Sequence, residues 1–240
     1  MIHYEIAGTG PPIVLLHGIG SNSKSWRRQL AAFSKHFTVV AWDAPGFGKS
    51  SEPTAAVESI GAYTRALHDL LNSLKLEAAV ILGHSLGGII AQEFYREAPA
   101  LVRALILADT TKGGSNPTNR LRMIRTMTPQ ELARDRAPKL LSPGAPKAVV
   151  DEAVAIMSEV RRPGYEFAAI AMSKADTRGI LDNITVPLLM IWGAEDNITP
   201  QWTDWPKSAR VEIIPNAGHL CYIEQAETFN AIVVEFLKQS

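Results

Sequence analysis

Gly83-His84-Ser85-Leu86-Gly87 stands between an apolar run at 78–82 and a stretch of helical character at 88–97. A strand that passes at once into a helix projects one residue at the tip of its turn, and here that residue is Ser85. Such a turn strains the backbone at its apex and crowds the chain on both sides. Glycine is therefore wanted at 83 and 87, where a Cβ would collide. The serine oxygen is left exposed beside a helix N-terminus, whose unpaired N–H groups can hold developing negative charge. His84 is expected to leave the strand on the face opposite Ser85.

Outward from this turn, further strands are read at 2–7, 13–16, 37–42, 102–107, 187–192 and 211–214. Several are continuously apolar, as strands buried on both faces must be, whereas 2–7 alternates. Helical spacing is found at 25–33, 60–76 and 226–238. Strands alternating with helices predict an α/β fold with a mostly parallel sheet of about seven or eight strands flanked by helices. The alternation stops near Thr111 and resumes near Val186. Between them Thr128-Pro129-Gln130-Glu131 is a capping box with proline at the first helical position, and helical stretches follow at 146–160 and 163–175. The expected organisation is a core made of 1–110 and 185–240, with 111–184 inserted as an all-helical cap.

Composition narrows the class of protein. At 240 residues and 46% hydrophobic, the chain is long enough for one large core. Lysine plus arginine equals aspartate plus glutamate at 24 each, so nothing argues for nucleic acid or an anionic membrane as a general partner. A single cysteine, Cys221, allows no internal disulfide and favours a reducing compartment. The N-terminal residues lack a basic then apolar leader, and no apolar run approaches the roughly 18 residues of a membrane span. A soluble cytoplasmic protein is expected.

A serine hydroxyl is a poor nucleophile near neutral pH and needs a base, which in turn needs an orienting acid. Of six histidines, His17 and His219 follow the carboxyl ends of strands, where ligands bind in open α/β sheets. The loop carrying His219 is free to aim it, while His17 sits in a glycine-flanked turn suited to bracing the backbone; His219 is the expected base. Asp196 is the first candidate for the acid and Asp109 the alternative, since both follow strand ends. Asp43, in a loop rich in proline and glycine, is expected to brace its turn. Acyl transfer also needs two oxyanion donors. The N–H of Leu86 is one and that of Ile19, in His17-Gly18-Ile19-Gly20, the other. This chemistry calls for no cofactor and no metal.

Together, Leu16-His17-Gly18, Asp43-Ala44-Pro45-Gly46-Phe47-Gly48, Gly83 to Gly88, Gly193-Ala194-Glu195-Asp196 and Gly218-His219 resemble the motifs of the α/β-hydrolase superfamily. The resemblance covers nearly the whole chain outside 111–183. Within the superfamily the chain is most similar to 3-oxoadipate enol-lactonases and related carboxylesterases, through 87–93 and Ala108-Asp109-Thr110. It implies a serine hydrolase acting on a small ester or lactone. C–C bond hydrolases and cofactor-free perhydrolases use the same three side chains and are the alternatives; a non-catalytic small-molecule receptor on this fold is a more remote one. Family members usually begin with one more strand than is read here.

The inserted segment sets the substrate. From 112 to 178 it holds twelve basic and seven acidic residues, an excess of five positive charges that would favour a carboxylate-bearing substrate. Arg122 and Arg125, on the first helix of the insertion with Met123 and Met127, are the expected carboxylate clamp. Trp26 is a further candidate substrate contact. Met157, Phe167, Met172 and Trp202 are open between pocket wall and core.

Overall fold

The computed structural model describes residues 1–54 and 58–239. The first strand, β1 (Tyr4–Ala7), is followed by β2 (Pro12–Leu16), a 3-10 turn at Ser23–Trp26 and helix α1 (Arg27–Phe33). Strand β3 (Thr38–Trp42) is followed in the chain by α2 (Ile60–Ser73). Then come β4 (Ala79–His84), α3 (Leu86–Glu97) and β5 (Val102–Ala108). Four helices follow before the next strand: α4 (Thr118–Thr126), α5 (Pro129–Arg136), α6 (Lys147–Met157) and α7 (Arg162–Lys174). The chain finishes with β6 (Leu188–Gly193), β7 (Ala209–Ile214), the short turn α8 (Cys221–Glu224) and α9 (Ala226–Gln239).

The seven strands form one sheet in the order β1-β3-β2-β4-β5-β6-β7. Only β1 runs antiparallel, pairing Tyr4 with Trp42 and Ala7 with Val39; every other pair is parallel. The order explains the sequence pattern. Every residue of β4 is buried, because β4 lies mid-sheet with helices on both faces, while edge strand β1 has no fully buried residue and exposes Ile6. Alternate residues of one strand feed opposite cores: Val14, Leu16 and Ile81 one, Ile13, Leu15 and Leu82 the other.

Parallel pairing also gathers the chemistry. Strands β2, β4, β5, β6 and β7 point the same way, so the loops holding His17, Ser85, Asp109, Asp196 and His219 all leave one edge of the sheet. The capping box at α5 forms in both directions: Thr128 accepts from the Glu131 N–H, and Glu131 accepts from the Thr128 N–H. The helices of 111–184 are not a separate body. Met123, Ile124 and Leu132 join the core on one face of the sheet, and Ala153 and Met157 the core on the other.

Candidate active site

Ser85 has φ +53° and ψ −114°, between the last residue of β4 and the first of α3. The Ala108 carbonyl accepts its N–H at 3.0 Å, and the Thr110 hydroxyl donates to its carbonyl at 2.6 Å. These bonds hold a conformation that a non-glycine residue rarely adopts. The glycines on either side are steric requirements. A Cβ at Gly83 would lie 2.2 Å from the Gly87 carbonyl oxygen, and one at Gly87 would lie 2.0 Å from that of Leu16.

His219 is buried in the loop after β7. Its Nδ1–H donates to Asp196 Oδ2 at 2.9 Å, which leaves Nε2 as the nitrogen able to accept a proton. The carboxylate is itself held: Asp196 Oδ1 accepts from the N–H groups of Ile198 (2.7 Å) and Thr199 (3.1 Å), and its side chain is fully buried. Ser85 and His219 line one cavity together with Ile19. No hydrogen bond joins Ser85 to His219 among the described residues; such contacts are commonly long before substrate binds.

The other polar groups sort by their partners. His17 Nδ1–H donates to the Gly18 carbonyl at 2.9 Å, and its Nε2 accepts from the Ala44 N–H at 2.9 Å, so this ring ties two loops together. Asp43 accepts from the N–H groups of Ser23 and Lys49 and braces its turn. His84 does not leave toward the far face. It lines the same cavity as Ser85, and its Nε2–H donates to the His219 carbonyl at 2.7 Å. The turn at Ser85 breaks the two-residue alternation that placed it elsewhere. Burial, then the neighbouring His219, holds its pKa well below the usual histidine range, so it is a neutral prop.

Asp109 accepts from the Gly193 N–H at 2.9 Å through Oδ1, whereas among the described residues Oδ2 lacks a well-formed hydrogen bond and has the Cys221 thiol and the Asp196 carboxyl as its side-chain neighbours. Burial, then the charge of Asp196, pushes its carboxyl well above the usual carboxylate range. Asp109, Asp196 and His219 each offer one atom within 4.8 Å of the others, a spacing compatible with a metal ion. Asp196 and His219 already hold each other through a 2.9 Å hydrogen bond, which fits an acid–base arrangement better. Burial raises the Cys221 thiol well above its usual pKa and keeps it un-ionised.

The cavity measures about 40 Å³, room for a few waters where each needs about 10–15 Å³. Its walls include Leu140, Ile156, Met157 and Ile198, with Tyr165 and two arginines, Arg120 and Arg136. None of the substrate contacts expected from sequence is among them. Trp26 is fully buried with its ring 4.2 Å from that of Tyr222. Met123 is buried in the core, and Met127 lies beyond the end of α4, packed against the same core. Arg122 is exposed and donates to Asn119, and Arg125 is exposed and paired with Glu166. Of the residues left open, Met157 is in the wall; Met172 is core, and Phe167 and Trp202 pack against it.

A family model described as alpha/beta hydrolase family matches residues 13–232. The chain belongs to the alpha/beta hydrolase family. Its sheet of seven strands, mostly parallel and flanked by helices, is that family's fold. An uncharacterised protein of Mycobacterium tuberculosis is 30% identical over 98% of this chain and 77% of its own length. A thermophilic esterase from Thermogutta terrifontis, with malate bound, superposes with a TM-score of 0.91 at 27% identity, covering 99% of this chain and 93% of that one. The enol-lactonase from Burkholderia xenovorans gives 0.90 at 27% identity, covering 99% and 96%. Among the described residues, no helix of this alpha/beta hydrolase is long and apolar enough to cross a membrane.

Proposed function

We propose that this alpha/beta hydrolase cleaves a small carboxylic ester or lactone through an acyl-enzyme on Ser85. The observation that carries this reading is the position of Ser85: at a positive φ between strand and helix, it lines one cavity with a histidine bonded to a buried aspartate. In this mechanism Ser85 Oγ attacks the carbonyl carbon while His219 Nε2 takes its proton. The Leu86 and Ile19 N–H groups receive the oxyanion. Leu86 is the first residue of α3, so its N–H has no partner within the helix, and the Ile19 N–H makes no hydrogen bond among the described residues. The protonated His219 then gives its proton to the leaving oxygen. A water that loses a proton to Nε2 attacks the acyl-serine, and as the acyl–Oγ bond breaks His219 returns that proton to Ser85 Oγ and the carboxylic acid leaves. Asp196 fixes the tautomer and stabilises the imidazolium.

In the same reading, 1–110 and 185–240 form the catalytic core and 111–184 is a lid that supplies one wall of the cavity. The enol-lactonase and esterase likenesses support this bond class.

Ser85→Ala is expected to keep the fold and lose on the order of 10³-fold or more in kcat on a chromogenic ester. Mass spectrometry of the wild-type protein quenched during turnover should find the acyl group on the peptide holding Ser85. A Ser85→Ala protein with more than about a tenth of wild-type activity would remove the serine from the mechanism.

A further inference from the structure

Most of the insertion's basic residues already have a partner in the fold. Of its twelve basic residues between 112 and 178, seven end on carboxylates. Arg122 donates to the Asn119 side chain, and Arg162 donates to the carbonyls of Ile124 and Arg125. Arg134 is exposed near Glu131. That leaves Arg120 and Arg136, both half-buried and both in the wall of the Ser85 cavity. Neither has a hydrogen bond or an ion pair among the described residues, and no aspartate or glutamate lines the cavity with them.

Two like charges brought together and partly desolvated with no counter-ion are costly. Burial and the charge of Arg136 both act against the ionised form of Arg120. The buried Tyr165, in the same wall, lies near enough to both arginines to feel their charge. A guanidinium stays charged in proteins, so the pair is relieved by an anion and not by losing a proton. The planar fork of arginine matches a carboxylate with two parallel hydrogen bonds. The rest of the wall is largely apolar and the cavity small, which suits a short substrate with one charged end.

We propose that Arg120 and Arg136 form an anion-binding subsite of the Ser85 cavity, so that the ester or lactone taken there carries an ionised carboxylate away from the scissile bond. This rests on the reading of the cavity as a hydrolase site and narrows its substrate class. It also replaces Arg122 and Arg125 as the carboxylate-reading residues.

The test compares monoethyl succinate with ethyl succinamate, which differ only in carboxylate against carboxamide, by the ethanol each releases. Wild-type protein should prefer the acid by roughly 10- to 100-fold in kcat/KM, mainly through KM. Arg120→Gln and Arg136→Gln should each shrink that ratio, and Arg120→Lys should restore part of it. Arg122→Gln and Arg125→Gln should leave the ratio as it is. A second arm needs no turnover: calorimetry of the Ser85→Ala protein with the same two compounds should show the same preference, lost on adding Arg120→Gln. Equal kcat/KM for the two esters in wild-type protein, or equal binding to Ser85→Ala, would overturn the subsite while leaving the hydrolase reading in place. Ethanol release from neither ester, with selective binding of the acid intact, would count against the hydrolase reading for these substrates and in favour of the subsite.

Discussion

Asp109 and Asp196 sit side by side at the ends of neighbouring β5 and β6, yet their hydrogen-bond partners differ sharply. Asp196 accepts from two backbone N–H groups and from His219. Asp109 has one backbone donor, no well-formed bond to Oδ2 among the described residues, complete burial and the Asp196 charge beside it. The neutral acid is therefore the form to imitate by mutation. Asp109→Asn keeps an acceptor for Gly193 and a donor on the other branch, so kcat on a neutral ester should fall by less than about tenfold. Asp196→Asn presents an amide to Nδ1, favours the wrong His219 tautomer and should cost about 10³- to 10⁴-fold. The reverse ranking would move the acid role to Asp109. Stability supplies an independent sign. Asp109 titrates near its ordinary 3.8 when unfolded and well above that when folded, so the folded chain retains a proton that the unfolded chain releases. Its contribution is fully present below pH about 3.8 and declines as pH rises toward the folded value. Melting curves of wild type and Asp109→Asn should thus shift in favour of the variant from acid to neutral pH.

At the level of elements, the turn from β4 into α3 is specified by its neighbours as much as by its own residues. A Cβ on Gly87 would meet the backbone oxygen of Leu16 on β2, an atom that cannot swing aside. Gly87→Ala should therefore push β2 from α3 and destabilise by about 1–3 kcal/mol or more, a melting-temperature loss of several degrees by calorimetry. An unchanged melting temperature would mean that α3 can move away freely. This turn was legible from sequence because its demands are local: a strand, an apex and two small residues at fixed spacing. The strand-end residues were legible too, because parallel strands send their carboxyl ends to one edge. The cavity wall was not. Helical spacing marks which residues share a face of α4, but not what each face meets. Arg120 and Arg122 lie two residues apart, about 200° around a helix. One faces the cavity and the other faces solvent. Arg136, at the end of α5, and Tyr165, on α7, are far from each other and from Ser85 in sequence, and no local pattern joins them. His84 was misplaced because alternation applies within a strand and fails at the turn.

Across the whole molecule, the cavity exists only while the insertion stays docked on the sheet. Apolar contact does most of that, since the insertion contributes to the cores on both faces. A few charged ties fix its register. Glu159 accepts from Lys24 and Asn22, and Arg161 donates to the Ser50 carbonyl. The most shielded tie is at Glu152 on α6, whose side chain is only 9% exposed. It accepts two parallel bonds of 2.7 Å from Arg28 on α1, and Arg27 lies 2.9 Å away. Exposed ion pairs contribute about 0–1 kcal/mol, but bidentate geometry and partial burial place this one at the upper end. Glu152→Gln keeps the shape and removes the charge, leaving Arg28 with a weaker acceptor in a partly buried position. A loss of about 1 kcal/mol is expected, which in a chain of this size lowers the melting temperature by about 2–4 °C. The next residue along α6, Ala153, and then Ile156 and Met157 form part of the cavity wall. Loosening α6 should therefore also raise KM for an ester substrate more than it lowers kcat, because Ser85, Asp196 and His219 are all carried by the sheet. Added salt should narrow the difference in melting temperature between wild type and variant, since screening weakens the pair that only wild type retains. A Glu152→Gln protein with lower kcat at unchanged KM would place α6 in the chemical step instead of in the docking of the wall.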